Sequence, residues 1–202
     1  MQVIEDHGLT FIGPTAKHIR IMGDKISAKD SMKELGVPCV PGSDGGVPTL
    51  EDAKRIGAEM GYPVIIKATA GGGGRGMKVA QNADEMESAF LTARAEGKAA
   101  FGNAEVYIEK YLTTPRHIEI QVFGDGKGQA VHLGERDCSL QRRHQKVFEE
   151  APSPALNQAQ REEIGTIVAT AVKKMGYRGA GTMECLYEDG NFYFIGMNTR
   201  IQ

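Results

Sequence analysis

Residues 64–77 read Val-Ile-Ile-Lys-Ala-Thr-Ala-Gly-Gly-Gly-Gly-Arg-Gly-Met, so a strand of buried type delivers Lys67 and then opens into a run in which five of six positions are glycine. Without side chains, the backbone N–H groups of such a loop can close around an anion, and Lys67 and Arg75 add point charge to that concavity. Two familiar phosphate loops are excluded. The Gly-Lys-Ser/Thr ending of a Walker motif is absent, and the next element, Met77 to Ala80, reads as a strand where a P-loop or a dinucleotide-binding turn requires a helix. The same glycines also suit a flexible hairpin tip, although a solvated hairpin needs only one or two of them.

The segments around this hairpin predict an α+β chain. Residues 24–35 read as a short helix with Asp24 as cap and Gly36 as the C′ residue. Thr49-x-x-Asp52 gives a capping-box-like start to a helix that reaches Met60, and Asn82 with Glu85 opens another whose apolar side is Met86, Ala89, Phe90 and Ala93. A strand at Val106 to Tyr111 completes a small α+β unit over residues 39–111. Beyond it, His117 to Phe123 alternates Ile118, Ile120 and Val122 with Glu119 and Gln121, then turns at Asp125-Gly126-Lys127-Gly128 into an antiparallel partner at Ala130 to Glu135. Ile164, Ile167, Val168, Ala171, Val172 and Met175 form the stripe of a helix capped near Asn157 and ended by Gly176. Strands at Met183 to Tyr187 and Phe192 to Ile195 flank a hairpin turn at residues 188–191. The expected organisation is an entry segment with a helix (1–38), the small unit as a lid (39–111), and an antiparallel-sheet body from 112 to 202.

Composition narrows the function classes. With 26 acidic and 24 basic residues the net charge is -2, so nothing global favours nucleic acid or an anionic membrane, and any basic site must be local. The longest apolar stretches, such as residues 62–70, are far shorter than the roughly 20 residues that span a bilayer. Met1-Gln2-Val3-Ile4-Glu5-Asp6-His7 has neither a basic n-region nor an apolar h-region, so a cytoplasmic location is expected. Cys39, Cys138 and Cys185 are odd in number and widely spaced, which predicts free thiols and neither a disulfide framework nor a structural zinc site.

A second constellation is Glu184, Asn198 and Arg200, with Lys146 in the basic loop Gln141-Arg142-Arg143-His144-Gln145-Lys146. Glu184 stands in an otherwise apolar strand start, where a carboxylate is costly to bury without a cation, so it is a candidate ligand for a hard ion such as Mg²⁺. An outward-facing strand residue fits Glu184 equally, and a solvated charge run fits the basic loop.

Together, Phe11-Ile12-Gly13-Pro14, Met22-Gly23-Asp24-Lys25, residues 67–77, Glu135-Arg136-Asp137-Cys138-Ser139, residues 141–146 and Met197-Asn198-Thr199-Arg200-Ile201-Gln202 resemble the biotin carboxylases, which are ATP-grasp enzymes. The resemblance runs along the whole chain and is strongest to the bacterial subunit of acetyl-CoA carboxylase. It implies an ATP-grasp fold and a ligase of fatty acid biosynthesis that takes ATP, Mg²⁺ or Mn²⁺, bicarbonate, and biotin as a carrier-bound substrate. Lys25 and Lys67 are then implied as phosphate ligands, with Gly73 and Gly74 in the closing loop and Glu109, Lys110, Tyr111 and Leu112 at an adenine-recognising hinge. His117, Gln141 and His144 are implied on the nucleotide and ribose side, Glu184 and Asn198 at the metal, Glu184 also toward ATP, and Lys146, Arg200 and Gln202 at bicarbonate. Lys146 and Arg200 are the implied catalytic pair, Arg200 also stabilising the biotin enolate.

The implied reaction has bicarbonate attack the γ-phosphate to give carboxyphosphate, which releases CO2 to the ureido nitrogen of biotin. Implied partners are a biotin carboxyl carrier protein, a carboxyltransferase and a second copy of the parent enzyme. Two departures stand out. Ile195-Gly196-Met197-Asn198 has glycine where the family pattern has a second metal-bridging glutamate, and the family's Val-Glu-His and carboxyl-terminal lobe beyond Gln202, like the domain before Phe11, are not in the sequence. A fragment with weakened metal binding and impaired phosphoryl transfer is therefore expected. The alternatives are the same module of pyruvate, propionyl-CoA or methylcrotonyl-CoA carboxylase, another ATP-grasp ligase such as a carbamoyl-phosphate synthase half, and an ATP-binding module without turnover.

Overall fold

A computed structural model describes residues 1–70, 76–142 and 145–202. Its elements are α1 (Gln2–Asp6), α2 (Ala16–Gly23), α3 (Lys25–Glu34), α4 (Leu50–Met60), β1 (Val64–Ala68), β2 (Met77–Ala80), α5 (Met86–Phe101), β3 (Val106–Lys110), β4 (Arg116–Asp125), β5 (Ala130–Asp137), the two-residue strands β6 (Gln141–Arg142) and β7 (Gln145–Lys146), α6 (Gln158–Lys174), β8 (Arg178–Glu188) and β9 (Asn191–Asn198). Contacts divide the chain into two compact units: Val40–Thr114 with Arg142–Gln145, and Met1–Cys39 with Pro115–Gln141 and Lys146–Gln202. The first 39 residues thus share a core with the sheet that begins at β4. Among the described residues no helix is long and apolar enough to cross a membrane.

In the smaller unit an antiparallel sheet of order β2-β1-β3 packs against α4 and α5. Sequence suggests β1 is apolar on both faces, but the structure separates them. Val64 and Ile66 are buried in a core with Ala53, Phe90 and Ile108, and Ala68 is buried on the same face, while Ile65 and Lys67 take the other face. Thr49 caps α4 by accepting the Asp52 N–H. Asn82 and Glu85 instead hold a turn: Asn82 Oδ1 accepts from the Asp84 and Glu85 N–H groups, Glu85 Oε2 accepts from the Gln81 N–H, and α5 starts only at Met86.

In the larger unit the sheet order is β5-β4-β8-β9, all antiparallel, with α6 on β4 and β5 and α2 and α3 against β9. The core joins Ile118, Ile120 and Val122 of β4, Ile164, Val168 and Val172 of α6, Met32 of α3, and Met183, Cys185 and Phe194. Asn157 and Gln160 form a full capping box on α6. β8 begins at Arg178, five residues before the expected start, and its glycines are packing positions. A Cβ on Gly181 would lie 2.4 Å from Met197 Cε, and one on Gly124 across the sheet 2.2 Å from the Tyr177 carbonyl oxygen. α2 was invisible as an apolar stripe because it buries only His18 and Met22. Cys39, Cys138 and Cys185 are free thiols, as expected.

The amino-terminal segment is held by polar ties as well as packing. Arg178 donates from Nε to the Gly13 carbonyl at 2.8 Å and from Nη2 to Glu5 at 3.0 Å. His18 is buried against Tyr177 with Nε2 3.2 Å from the Met175 carbonyl, which makes Nε2 the protonated nitrogen of a neutral ring, and Nδ1 has no partner. Burial, with smaller pushes from Lys17 and Arg178, lowers its pKa against the raising effect of the Met175 bond. The unfolded chain therefore takes up this proton first, and stability falls as pH drops below about 6.5 toward the folded pKa. In urea unfolding from pH 7.5 to 5, the stability of the unaltered chain relative to His18→Gln is expected to decline. A difference that stays constant over that interval would sink this account.

Candidate active site

The polar face of the larger unit's sheet is built by register and by an irregularity in the β8–β9 pairing. Glu119 pairs directly with Glu184, Gln121 with Thr182, and Thr182 with Asn198. Between Glu184 and Cys185 the β8–β9 register shifts, so Cys185 pairs with Phe194, Glu184 with Gly196, and Ile195 is the extra residue. That bulge lets Phe194 and Met197 both enter the core while Gly196 and Asn198 join Glu184 on the polar face. A Cβ on Gly196 would stand 3.3 Å from Glu184 Oε2, so any side chain there meets that carboxylate.

Glu119 is the centre of this face, and the alternation of β4 gave no sign of its depth. It has no exposed surface, yet it is ionised between two cations and an imidazole: Lys146 Nζ sits on Oε1, Arg136 Nη2 lies 3.2 Å from Oε2, and the His117 ring nitrogen Nε2 lies 3.4 Å from Oε1. Burial raises its pKa, but Lys146 first and then His117 and Arg136 outweigh that and hold it below its ordinary value. Glu184 moves the other way. Burial and the facing Glu119 push its pKa up, opposed by the Asn198 hydrogen bond and by Lys146. Asn198 Nδ2 donates to Glu184 Oε1 at 2.7 Å, and Arg200 Nη1 donates to Asn198 Oδ1 at 2.9 Å. His117 is lowered by burial above all, and Gln141 Nε2 lies 2.7 Å from its Nδ1.

The residues expected in a site therefore fall into groups. His117, Gln141, Lys146, Glu184, Asn198 and Arg200 are brought together with Gly196 on the larger unit, where Lys25 opens α3 and Gln202 is exposed at the last position. Lys67, Glu109, Lys110, Tyr111 and Leu112 belong to the smaller unit. There Lys67 Nζ donates to the buried Glu109 at 2.5 Å, and Lys110 Nζ is bound by the carbonyls of Gly61 and Tyr62 at 3.0 and 3.2 Å. Gly73, Gly74 and His144 lie outside the described residues. Sequence reasoning missed Glu119, Arg136 and Gln121. The available signal was a charged residue two positions from His117, hence on its face of the strand. Arg136 Nη1 donates to Gln121 Oε1 at 3.0 Å, so these two brace the carboxylate from the side away from Lys146.

This paired-carboxylate face with its lysine and arginine has relatives. The family model described as "Carbamoyl-phosphate synthase L chain, ATP binding domain" matches residues 24–202. The chain belongs to this family. The biotin carboxylase of Pseudomonas aeruginosa is 60% identical over 200 residues, which is 98% of the chain and 44% of that protein, and that of Haemophilus influenzae is 59% identical. The chain thus spans less than half the length of the curated relatives it matches. Among solved structures, the biotin carboxylase domain dimer of the Hydrogenobacter thermophilus 2-oxoglutarate carboxylase, in complex with MgADP, ADP and bicarbonate, superimposes with a TM-score of 0.93 at 52% identity, over 100% of this chain and 45% of that one. Biotin carboxylase from Campylobacter jejuni in a β,γ-ATP complex gives 0.93 at 48% identity, with the same coverage. The fold is the ATP-grasp fold of those neighbours.

Removing the charge of Glu119 leaves Lys146 and Arg136 uncompensated in a largely buried setting. Glu119→Gln is expected to cost about 3 kcal/mol, whereas Glu149→Gln, whose half-exposed carboxylate lies 3.4 Å from Arg136 Nε, should cost under about 1 kcal/mol. Equal urea midpoints for the two variants would show that Glu119 is not the anchor of this face.

Proposed function

We propose that the chain is the ATP-grasp part of a biotin carboxylase that carboxylates carrier-bound biotin with bicarbonate, at the expense of Mg-ATP, for an acetyl-CoA carboxylase in the cytoplasm. The observation that carries this reading is the line Lys146–Glu119, Glu184–Asn198–Arg200 on one sheet face, which sets two cations beside a cation-seeking carboxylate. Lys146 and Arg200 hold the bicarbonate anion. Glu119 fixes the Lys146 ammonium, so its donors are oriented before substrate arrives and cost no reorganisation during reaction. Arg200 is exposed, able to reach biotin, while its bond to Asn198 limits its range.

Glu184 fits a magnesium ion in its chemistry. It is a half-buried carboxylate with a raised pKa and no lysine or arginine ion partner among the described residues, and Mg²⁺ is commonly held by one or two carboxylates together with substrate phosphates. Asn198 supplies a second oxygen. Gly196 supplies none, which is why we read the metal site as weakened. Mg-ATP supplies the phosphoryl group. Lys25 and Lys67 are assigned to its phosphates with Gly73 and Gly74, and Glu184 would hold the metal, which would offset phosphate charge when bound. Glu109, Lys110, Tyr111 and Leu112 are assigned to its adenine, and His117, Gln141 and His144 to its sugar side. Gln202 completes the bicarbonate pocket. A biotin carboxyl carrier protein, a carboxyltransferase and a second copy of the enzyme are the partners of this reading.

A nucleotide-binding module without turnover is the second reading, and Gly196 opposite Glu184 favours it. Calorimetry of ATP binding with and without Mg²⁺, on the chain and on Gly196→Glu, checks both. ATP should bind the unaltered chain, and the glutamate should make that binding Mg²⁺-dependent. In a polypeptide of the relatives' length, Gly196→Glu should raise bicarbonate-dependent phosphate release by about a hundredfold, the equivalent of roughly 3 kcal/mol. ATP that binds neither protein would defeat both readings.

A further inference from the structure

Two carboxylates placed directly opposite on antiparallel strands repel unless a cation stands between them. Glu119 and Glu184 are such a pair, and His117, two residues before Glu119 in β4, presents its ring on the same face. The three residues form the cation-ligand cluster found among the described residues: a ring nitrogen of His117 and one carboxylate oxygen each from Glu119 and Glu184 all lie within 4.8 Å of one another. Three further observations point into this space. Glu119 is wholly buried, His117 Nε2 has no hydrogen-bond partner among the described residues, and Glu184 accepts from the neutral amide of Asn198 while facing a second carboxylate.

We infer that His117, Glu119 and Glu184 form a binding site for a divalent transition metal of the Zn²⁺ or Co²⁺ class, independent of nucleotide. This goes beyond the Mg-ATP reading, because the donor set contains an imidazole and the two strands hold it without any phosphate. An N,O,O set selects borderline ions over Mg²⁺, which prefers oxygen alone and keeps its waters. The separation of His117 Nε2 from Glu119 Oε1, 3.4 Å, is close to that of two ligands each about 2 Å from one ion, so the closure needed falls on the Glu184 side.

Two local rearrangements accompany binding. The Lys146 ammonium leaves Glu119 Oε1, since it occupies the position the ion takes. The His117 proton moves to Nδ1, where the Gln141 side-chain oxygen accepts it once the amide turns and gives up its 2.9 Å bond to the Cys138 carbonyl; such an outer partner is usual for a metal-bound imidazole. Gly196 leaves room beside Glu184 for that carboxylate to swing.

The test is Zn²⁺ titration of the 202-residue chain without nucleotide, followed by calorimetry and by long-range ¹H–¹⁵N spectra of its five histidines. One ion should bind per chain, with the metal-induced shift at His117 Nε2. His117→Gln should lower affinity at least tenfold, His7→Gln less than twofold. Lys146→Met should raise it more than Arg116→Met, which removes an equal charge from a neighbour of Asp137. A His117 resonance that Zn²⁺ leaves in place, or affinity unchanged in His117→Gln, overturns the site, and the spectra of the unaltered chain decide the matter even if a variant fails to fold. Failure of ATP binding leaves this inference untouched, and failure of Zn²⁺ binding leaves the nucleotide reading untouched.

Discussion

The larger unit is organised around a carboxylate that has lost all contact with water. An ionised Glu119 without exposed surface is tolerable only because Lys146, Arg136 and His117 converge on it from separate elements. Arg136 comes from β5, Lys146 from β7 and His117 from β4 itself, so one charge ties three segments together on this face. The geometry also works in reverse: each cation is oriented by the same anion, and so the donors that face outward from the cluster are held still. Asp137, the next residue along β5 and on the other face, repeats the device. Burial raises its pKa, but hydrogen bonds from Ser139, Arg116 and Ser153 outweigh that and keep it low.

What places these charges is a pair of breaks in strand periodicity. Without the extra residue at Ile195, an uninterrupted β9 that keeps Phe194 in the core would turn Asn198 inward and Met197 outward. β5 carries the complementary break. Ile120 pairs with Glu135 but Val122 with His132, which leaves an extra residue opposite Gln121, and Gly134 at φ +87° takes the left-handed conformation this requires. Through that shift Glu135 faces α6, where Arg161 Nε meets its two oxygens at 2.7 and 2.9 Å. The β9 bulge lies beside the row of Glu119 and Glu184 and the β5 bulge opposite Gln121 in the next row of that face, so the polar face is the part of the sheet where regular pairing gives way to side-chain placement.

Most of the fold was legible because its boundaries are set by local chemistry. Asp24, Thr49 and Asn157 each cap the helix their spacing announces, and the glycines after α3 and α6 have the positive φ that such C-terminal positions need. The start of β8 was placed five residues late because its glycines answer to distant parts of the chain, Gly181 to Met197 and Gly179 to Gly13. Glu119 illustrates the same limit at the site. An alternating strand tells which residues share a face, but whether that face is wet or covered depends on the basic loop near residue 146 and on Arg136, and no local pattern connects them. Lys146, Glu184, Asn198 and Arg200 were found through their motifs, and the carboxylate between them was not.

Gly196 bears on the electrostatics of the whole face. Glu119 and Glu184 stand against Lys146 and Arg136, with Arg200 tied in through Asn198, so the face is near charge balance when nothing is bound. A third carboxylate at 196 would lie beside Glu184, whose pKa burial and Glu119 already push up, and the surplus negative charge would have to be met by a cation from solution. A face with three carboxylates is thus a better metal trap and a worse resting structure, a common exchange at sites where charge is preorganised for a ligand. With glycine the sheet closes its charge account internally, and any ion that enters must compete with Lys146 for Glu119 rather than fill a deficit.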